Sequence, residues 1–170
     1  ISKKIKSVCI ISDSYLPQKI SAAGMIYNLS KTISDNGVEV TCVFSGDKPD
    51  VNFNYDTKNI NFITTSIFRS FRQKSLIYRF VFEIATSLTL LMKCVFTLPK
   101  NNKIDLVIWY GPSVFLWIIV FFIKRIYKAP VYYILRDIFP DWLINVGLVK
   151  NCLIIKILKL ISNPQYYVSD

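Results

Sequence analysis

The run Val131–Leu135 is apolar and of strand type, and it stops at Arg136 and Asp137, a charged pair that needs a physical reason at the end of a buried strand. In an open α/β sheet ligands gather outside the carboxyl ends of the strands, which puts this pair on a functional rim, with Pro140 and Asp141 opening the next helix. A structural ion pair or a helix cap accounts for the same two residues without a ligand, so both readings stay open. Three further stretches fall at the same kind of place. Ser12, Asp13 and Tyr15 follow a first apolar strand in a polar loop closed by Pro17, and Tyr110, Gly111 and Pro112 end another strand and turn the chain. Ser21-Ala22-Ala23-Gly24 lies where a helix begins, and its small residues let backbone N–H groups come close to a phosphate or a sugar hydroxyl. The alternative is that Ala22 and Ala23 simply pack against the sheet. The stretch is not a glycine fingerprint of the dinucleotide kind and gives no reason to expect NAD.

Other chemistries are excluded by residue type. The chain contains no histidine, so imidazole serves neither as metal ligand nor as base within it. Cys9, Cys42, Cys94 and Cys152 are scattered without a CxxC pair, which reads as small buried hydrophobes in a reducing compartment rather than a disulfide frame or a metal site.

The elements that must position these residues follow from periodicity. Ser7–Ser12, Val38–Ser45, Ile60–Thr65, Ile104–Tyr110 and Val131–Leu135 read as strands. Between the first two, Met25, Ile26, Leu29 and Ile33 have helical spacing and Gly37 gives the stop, so strand, helix and strand form a right-handed βαβ unit. Gly46–Asn59 reads as a polar loop, and a long helix is expected from about Lys74 to Thr97. Val114–Ile123 is apolar all round and too short to span a bilayer, so it is either a buried helix or one whose outer face meets lipid. Asp141–Val146 reads as a helical turn ending at Gly147, and Asn151–Ser162 as an amphipathic helix ended by Pro164. The fold class is therefore α/β: a doubly wound, mainly parallel sheet with helices on both faces. The chain opens on Ile1 rather than Met and stops after a helix-like segment where another strand is due, so it is expected to be one domain of a longer polypeptide.

Charge and hydropathy together limit the partners. With 21 Lys and Arg against 11 Asp and Glu the formal charge is +10, yet 52% of the residues are hydrophobic and the mean hydropathy is +0.38. A nucleic-acid binder is usually basic and polar, and no nucleic-acid motif accompanies this charge, so an anionic membrane surface is the expected partner and nucleic acid is not. Phe68–Leu98 interleaves Arg69, Arg72, Lys74, Arg79 and Lys93 with aromatic residues, which suits a helix lying in the membrane interface. It does not suit a span, which needs roughly 20 uninterrupted apolar residues. A long core helix with a solvated basic side is the alternative.

Four stretches carry a resemblance to a known family: SVCIISDSYLPQ, SAAGMIYNLSKTISDNGVEVTCVFS, DLVIWYGPSVF and YYILRDIFPDWLINVGL. Together they resemble the N-terminal domain of family 4 glycosyltransferases of the GT-B type, and most of all the bacterial O-antigen and capsule enzymes such as the fucosaminyltransferases. The last stretch is the most specific, since it looks like the family's Arg-Asp-hydrophobic-aromatic-Pro signature, and 46–97 matches only loosely.

The resemblance implies a complete enzyme of two Rossmann-like domains, with residues 1–170 forming the acceptor-binding one and the nucleotide-sugar domain absent from this chain. It implies retaining, metal-independent transfer from a nucleotide sugar to a lipid-linked saccharide, with no cofactor, at the cytoplasmic face of the bacterial inner membrane. The 170 residues alone are then expected to be inactive. Arg136 and Asp137 become the catalytic candidates: Arg136 pairs with phosphate or with Asp137, and Asp137 accepts hydrogen bonds from acceptor hydroxyls or takes a proton. Positioning is the favoured role, because an arginine neighbour is expected to make the carboxylate a weak base. Ser12, Asp13, Tyr15, Ser21, Ala22, Ala23, Gly24, Tyr110, Gly111 and Pro112 become the substrate-binding candidates, and the other reading is a non-catalytic membrane-docking or assembly module.

Overall fold

The structure is a computed structural model that describes residues 4–47, 59–66, 76–98, 103–111, 113–136, 138–147, 149 and 152–170. Five strands, β1 (Ser7–Ser12), β2 (Glu39–Ser45), β3 (Ile60–Thr65), β4 (Leu106–Tyr110) and β5 (Val131–Ile134), form one sheet in the order β3-β2-β1-β4-β5. Every neighbouring pair is parallel. The central strands β1 and β4 are near-continuous apolar runs because both faces are covered, and successive side chains alternate between two cores. Val8, Ile10, Cys42, Phe44, Ile108 and Tyr110 face α1 (Ser21–Asp35). On the opposite face Cys9, Ile11, Val43, Val107 and Trp109 meet Leu90 and Cys94 of α2 (Leu76–Thr97) and Ile119 and Ile123 of α3 (Trp117–Tyr127). Each fully buried aliphatic side chain contributes about 1.5–3 kcal/mol, so these two layers dominate the stability of the fold.

Chain order explains the layering. From β1 the sheet grows outward through β2 to β3, and the chain then returns to the other side of β1 for β4 and β5. Crossovers of one hand put helices on one face while the sheet grows in one direction and on the other face once it reverses. The reversal falls between β1 and β4, so the crevice of a doubly wound sheet opens there, above Ser12 and its register partner Tyr110.

Several expectations are refined. The long helix is described from Leu76, and 67–75 lie outside the described residues, as do 48–58 of the expected loop. Val114–Leu116 forms a buried 3-10 turn leading into α3, whose outer face carries exposed Phe121 and Phe122, so Val114–Ile123 is not buried all round. α4 (Asp141–Asn145) is short and ends before Gly147, which has φ +77°. α5 (Cys152–Ser162) ends just before Pro164 as expected, and the same proline begins a further short helix, α6 (Pro164–Val168). Proline is well placed there, since a first-turn residue needs no N–H donor and its φ is already helical.

Candidate functional site

The carboxyl ends of β1, β4 and β5 and the N-terminus of α1 meet at the crevice. Tyr110 is the shared residue. It closes β4 between Ser12 of β1 and Ile134 of β5, and its buried ring points to the α1 face. A buried phenol must find polar partners. Its hydroxyl accepts a hydrogen bond from Arg136 Nη1 at 2.9 Å and donates to Met25 Sδ of α1 at 3.8 Å. The Arg136 guanidinium carbon lies 5.9 Å from the Tyr110 ring centroid, so the cation is held against the aromatic face two residues beyond β5 while remaining exposed. Asp137 and Pro112 lie outside the described residues.

α1 begins at Ile20 without a side-chain cap, and its first turn contains no acidic residue. The N–H groups of Ala23 and Gly24 donate to Ile20 O, at 3.1 and 3.4 Å. Among the described residues the amides of Ser21 and Ala22 have no protein partner and none compensates the positive end of the helix dipole. Ser21 is exposed, whereas Ala22 and Ala23 are buried and pack against the sheet, as the simpler of their two readings expects. An added Cβ on Gly24 meets nothing within 4 Å, so no neighbour in the described chain demands glycine there.

Other candidates turn out to position the rim rather than to line it. Ser12 is buried, its Oγ accepting from the Ser14 N–H at 3.0 Å and donating to Ser14 O, which fixes the loop after β1. Tyr15 is buried as well. Its hydroxyl is hydrogen-bonded to Ser30 Oγ of α1 at 2.7 Å, its ring stacks on Phe44 at 4.9 Å, and burial pushes the phenol far above its ordinary pKa. Such a side chain pins α1 to β2. Asp13 is half-buried at the same bend. Gly111 is required for packing, since a Cβ would stand 2.8 Å from the Tyr133 hydroxyl. Tyr133 stacks on Trp109 at 4.1 Å with an interplanar angle of 12° and donates to Gln165 Oε1 of α6 at 3.2 Å.

Two contributors escape a reading of the sequence. Met25 counts there only as an apolar helix position, yet it meets the Tyr110 hydroxyl while 54% exposed. Gln18 ties the β1 loop to β2 by donating from Nε2 to Ser45 O at 2.9 Å. The one available signal was Tyr110 itself, a polar group at a strand end that had to find partners. Among the described residues no group of three or more His, Cys, Asp or Glu side chains is arranged to hold a metal. Among the described residues the rim thus carries the exposed Arg136 guanidinium, hydrogen-bonded to Tyr110 and lying against its ring, on the same side as the opening of α1, an arrangement suited to anionic oxygen.

No family model matches the chain, and no curated protein matches it. Among solved structures it is similar to the C-terminal domain of a hydrogenase from Pyrococcus furiosus, with a TM-score of 0.51 and 18% identity over 78% of this chain and 94% of that one. At that identity the likeness concerns the fold alone, a parallel α/β sheet wound on both faces.

Proposed function

We propose that this chain is the acceptor-binding domain of a membrane-surface retaining glycosyltransferase. In this reading a sugar moves from a nucleotide sugar, held mainly by a second domain, to a lipid-linked saccharide in bacterial surface polysaccharide synthesis. The supporting observation is the meeting of Arg136, Tyr110 and the opening of α1 at the crevice, where an anion is offered a cation and backbone donors together. A diphosphate suits that corner better than a neutral ligand does.

During transfer the bond from the anomeric carbon to the diphosphate oxygen breaks, the acceptor hydroxyl oxygen makes the new bond, and its proton leaves with the diphosphate. Arg136 and the α1 amides stabilise the negative charge that grows on the departing oxygens. Asp137 orients the acceptor hydroxyl, a role that needs geometry rather than basicity. The reading invokes neither metal nor cofactor.

The burial of Ser12, Tyr15, Ala22 and Ala23 favours a second reading, a non-catalytic docking or assembly module, because those side chains hold the rim together without touching a ligand. One experiment separates the two: the complete protein is assayed with labelled nucleotide sugar and a lipid-linked acceptor. Arg136→Ala and Asp137→Ala are each expected to lower transfer about 10²-fold or more with unchanged circular dichroism. Unchanged transfer in both variants removes these residues from the chemistry, and no transfer by the wild type with any nucleotide sugar tested leaves the module.

A further inference from the structure

The helices on the two faces of the sheet present different outer surfaces. On α1 the exposed positions Ser21, Asn28, Thr32 and Asp35 are polar, with Met25 the exception at the rim, as on an ordinary solvated helix. On α2 the exposed positions include Val81, Ile84, Leu88, Met92, Val95 and Phe96. These recur every three or four residues and so form one stripe, about 22 Å long, on the side away from the buried Leu90, Cys94 and Leu98. Lys93, an exposed cation of α2, stands off that stripe and donates to Thr64 O at 2.6 Å. The neighbouring α3 adds exposed Phe121, Phe122 and Ile126. Single exposed apolar residues are ordinary, but a stripe along α2 with further exposed apolar residues on the α3 packed beside it marks a surface made to be covered.

Charge indicates what covers it. A groove of about 540 Å³ is lined by Phe121, Lys124, Arg125 and Lys128 at the C-terminal end of α3. Lys124 is bound to Asp170 Oδ1 at 2.7 Å, while Arg125 and Lys128 have no carboxylate partner among the described residues. A chain of formal charge +10 with cations beside its apolar face disfavours a second copy of itself and favours an anionic surface. No helix of the described residues is long and apolar enough to cross a membrane, so contact with a bilayer through this face is interfacial.

We propose that the α2–α3 face lies flat on an anionic bilayer, with the stripe at the acyl boundary and the groove of Arg125 and Lys128 seating lipid phosphate. This deepens the membrane part of the proposed function and is independent of its sugar chemistry. α2 and α3 run antiparallel to the strands, so the bilayer meets their flanks and leaves the carboxyl rim open at the side.

The 170-residue chain is sedimented with phosphatidylcholine vesicles with and without phosphatidylglycerol, circular dichroism confirming the fold of each variant. Wild type is expected to bind the anionic vesicles at least about ten-fold more strongly than the neutral ones. The double variants Leu88→Glu with Met92→Glu, and Arg125→Glu with Lys128→Glu, are each expected to weaken that binding about ten-fold or more, while Asn28→Glu with Thr32→Glu on α1 stays within about two-fold. Negligible wild-type binding to both vesicles, or equal weakening by the α1 control, overturns the proposal. A wild-type dimer that Leu88→Glu with Met92→Glu dissociates, without vesicle binding, also overturns it and assigns the face to a second copy. Vesicle binding without any transfer by the complete protein sinks the sugar-transfer reading alone, and transfer to a soluble acceptor without vesicle binding sinks this one alone.

Discussion

Gly24 and Gly111 stand on the same rim under opposite demands. Nothing approaches the place a side chain would take on Gly24, while the Tyr133 ring already fills that place on Gly111. Gly24→Ala is therefore expected to be neutral or to gain up to about 1 kcal/mol from helix propensity. Gly111→Ala is expected to lose about 1–3 kcal/mol through displacement of Tyr133 from Trp109. Denaturant titration of the two variants checks this, and equal effects would show that Tyr133 is not wedged where the structure puts it. The thiols divide in a similar way. Burial pushes Cys42 and Cys94 up to about 12 and raises Cys9 as well, whereas Cys152 lies exposed on α5, contrary to the expectation that all four are buried. Ellman's reagent is expected to titrate Cys152 alone in the native protein and all four thiols after denaturation, because thiolate and access are both withheld from the other three. Rapid native labelling of more than one thiol would contradict that packing.

At the scale of elements, the short edge strand β5 depends on Asp170, two residues beyond α6. Val131 donates its N–H to Asp170 Oδ2 at 2.7 Å and accepts from the Asp170 N–H at 3.1 Å, while Lys124 of α3 donates to Asp170 Oδ1. A strand edge with unpaired backbone groups is a liability, and this clasp satisfies two of them. The Lys124 hydrogen bond first, and then the Val131 N–H, hold the Asp170 carboxyl below its ordinary pKa. A depressed carboxylate pKa contributes stability above the unfolded value, and that contribution is lost as pH falls through the folded value. Asp170→Asn is thus expected to lower stability at pH 7 by about 1 kcal/mol or less, the carboxylate being half-exposed. The gap from wild type should close below about pH 4. Thermal melts of both proteins across that range measure it, and a gap that widens in acid would rule out the clasp. The same scale explains the place of Tyr15. Its place in a polar loop suggested a ligand contact, but the loop folds inward and the ring becomes the pin between α1 and β2.

For the whole molecule, periodicity carries a great deal. The apolar runs around Val8, Val40, Val107 and Val131 specify buried strands, the helical spacing from Ala22 to Ile33 specifies α1, and alternation of strand with helix specifies a parallel doubly wound sheet. These are local consequences of which side chains avoid water and at what period, so they can be read without coordinates. The charge of +10 beside high hydropathy is legible in the same way. Tertiary structure alone decided which face each residue turned to and what it met there. It brought Tyr110 between Met25 and Arg136, gave Gly111 its reason in Tyr133, and buried Ser12 and Tyr15 while laying the α2 stripe bare. Those outcomes depend on contacts between residues far apart in the chain, set by strand order and helix handedness, and no window of neighbouring residues contains them.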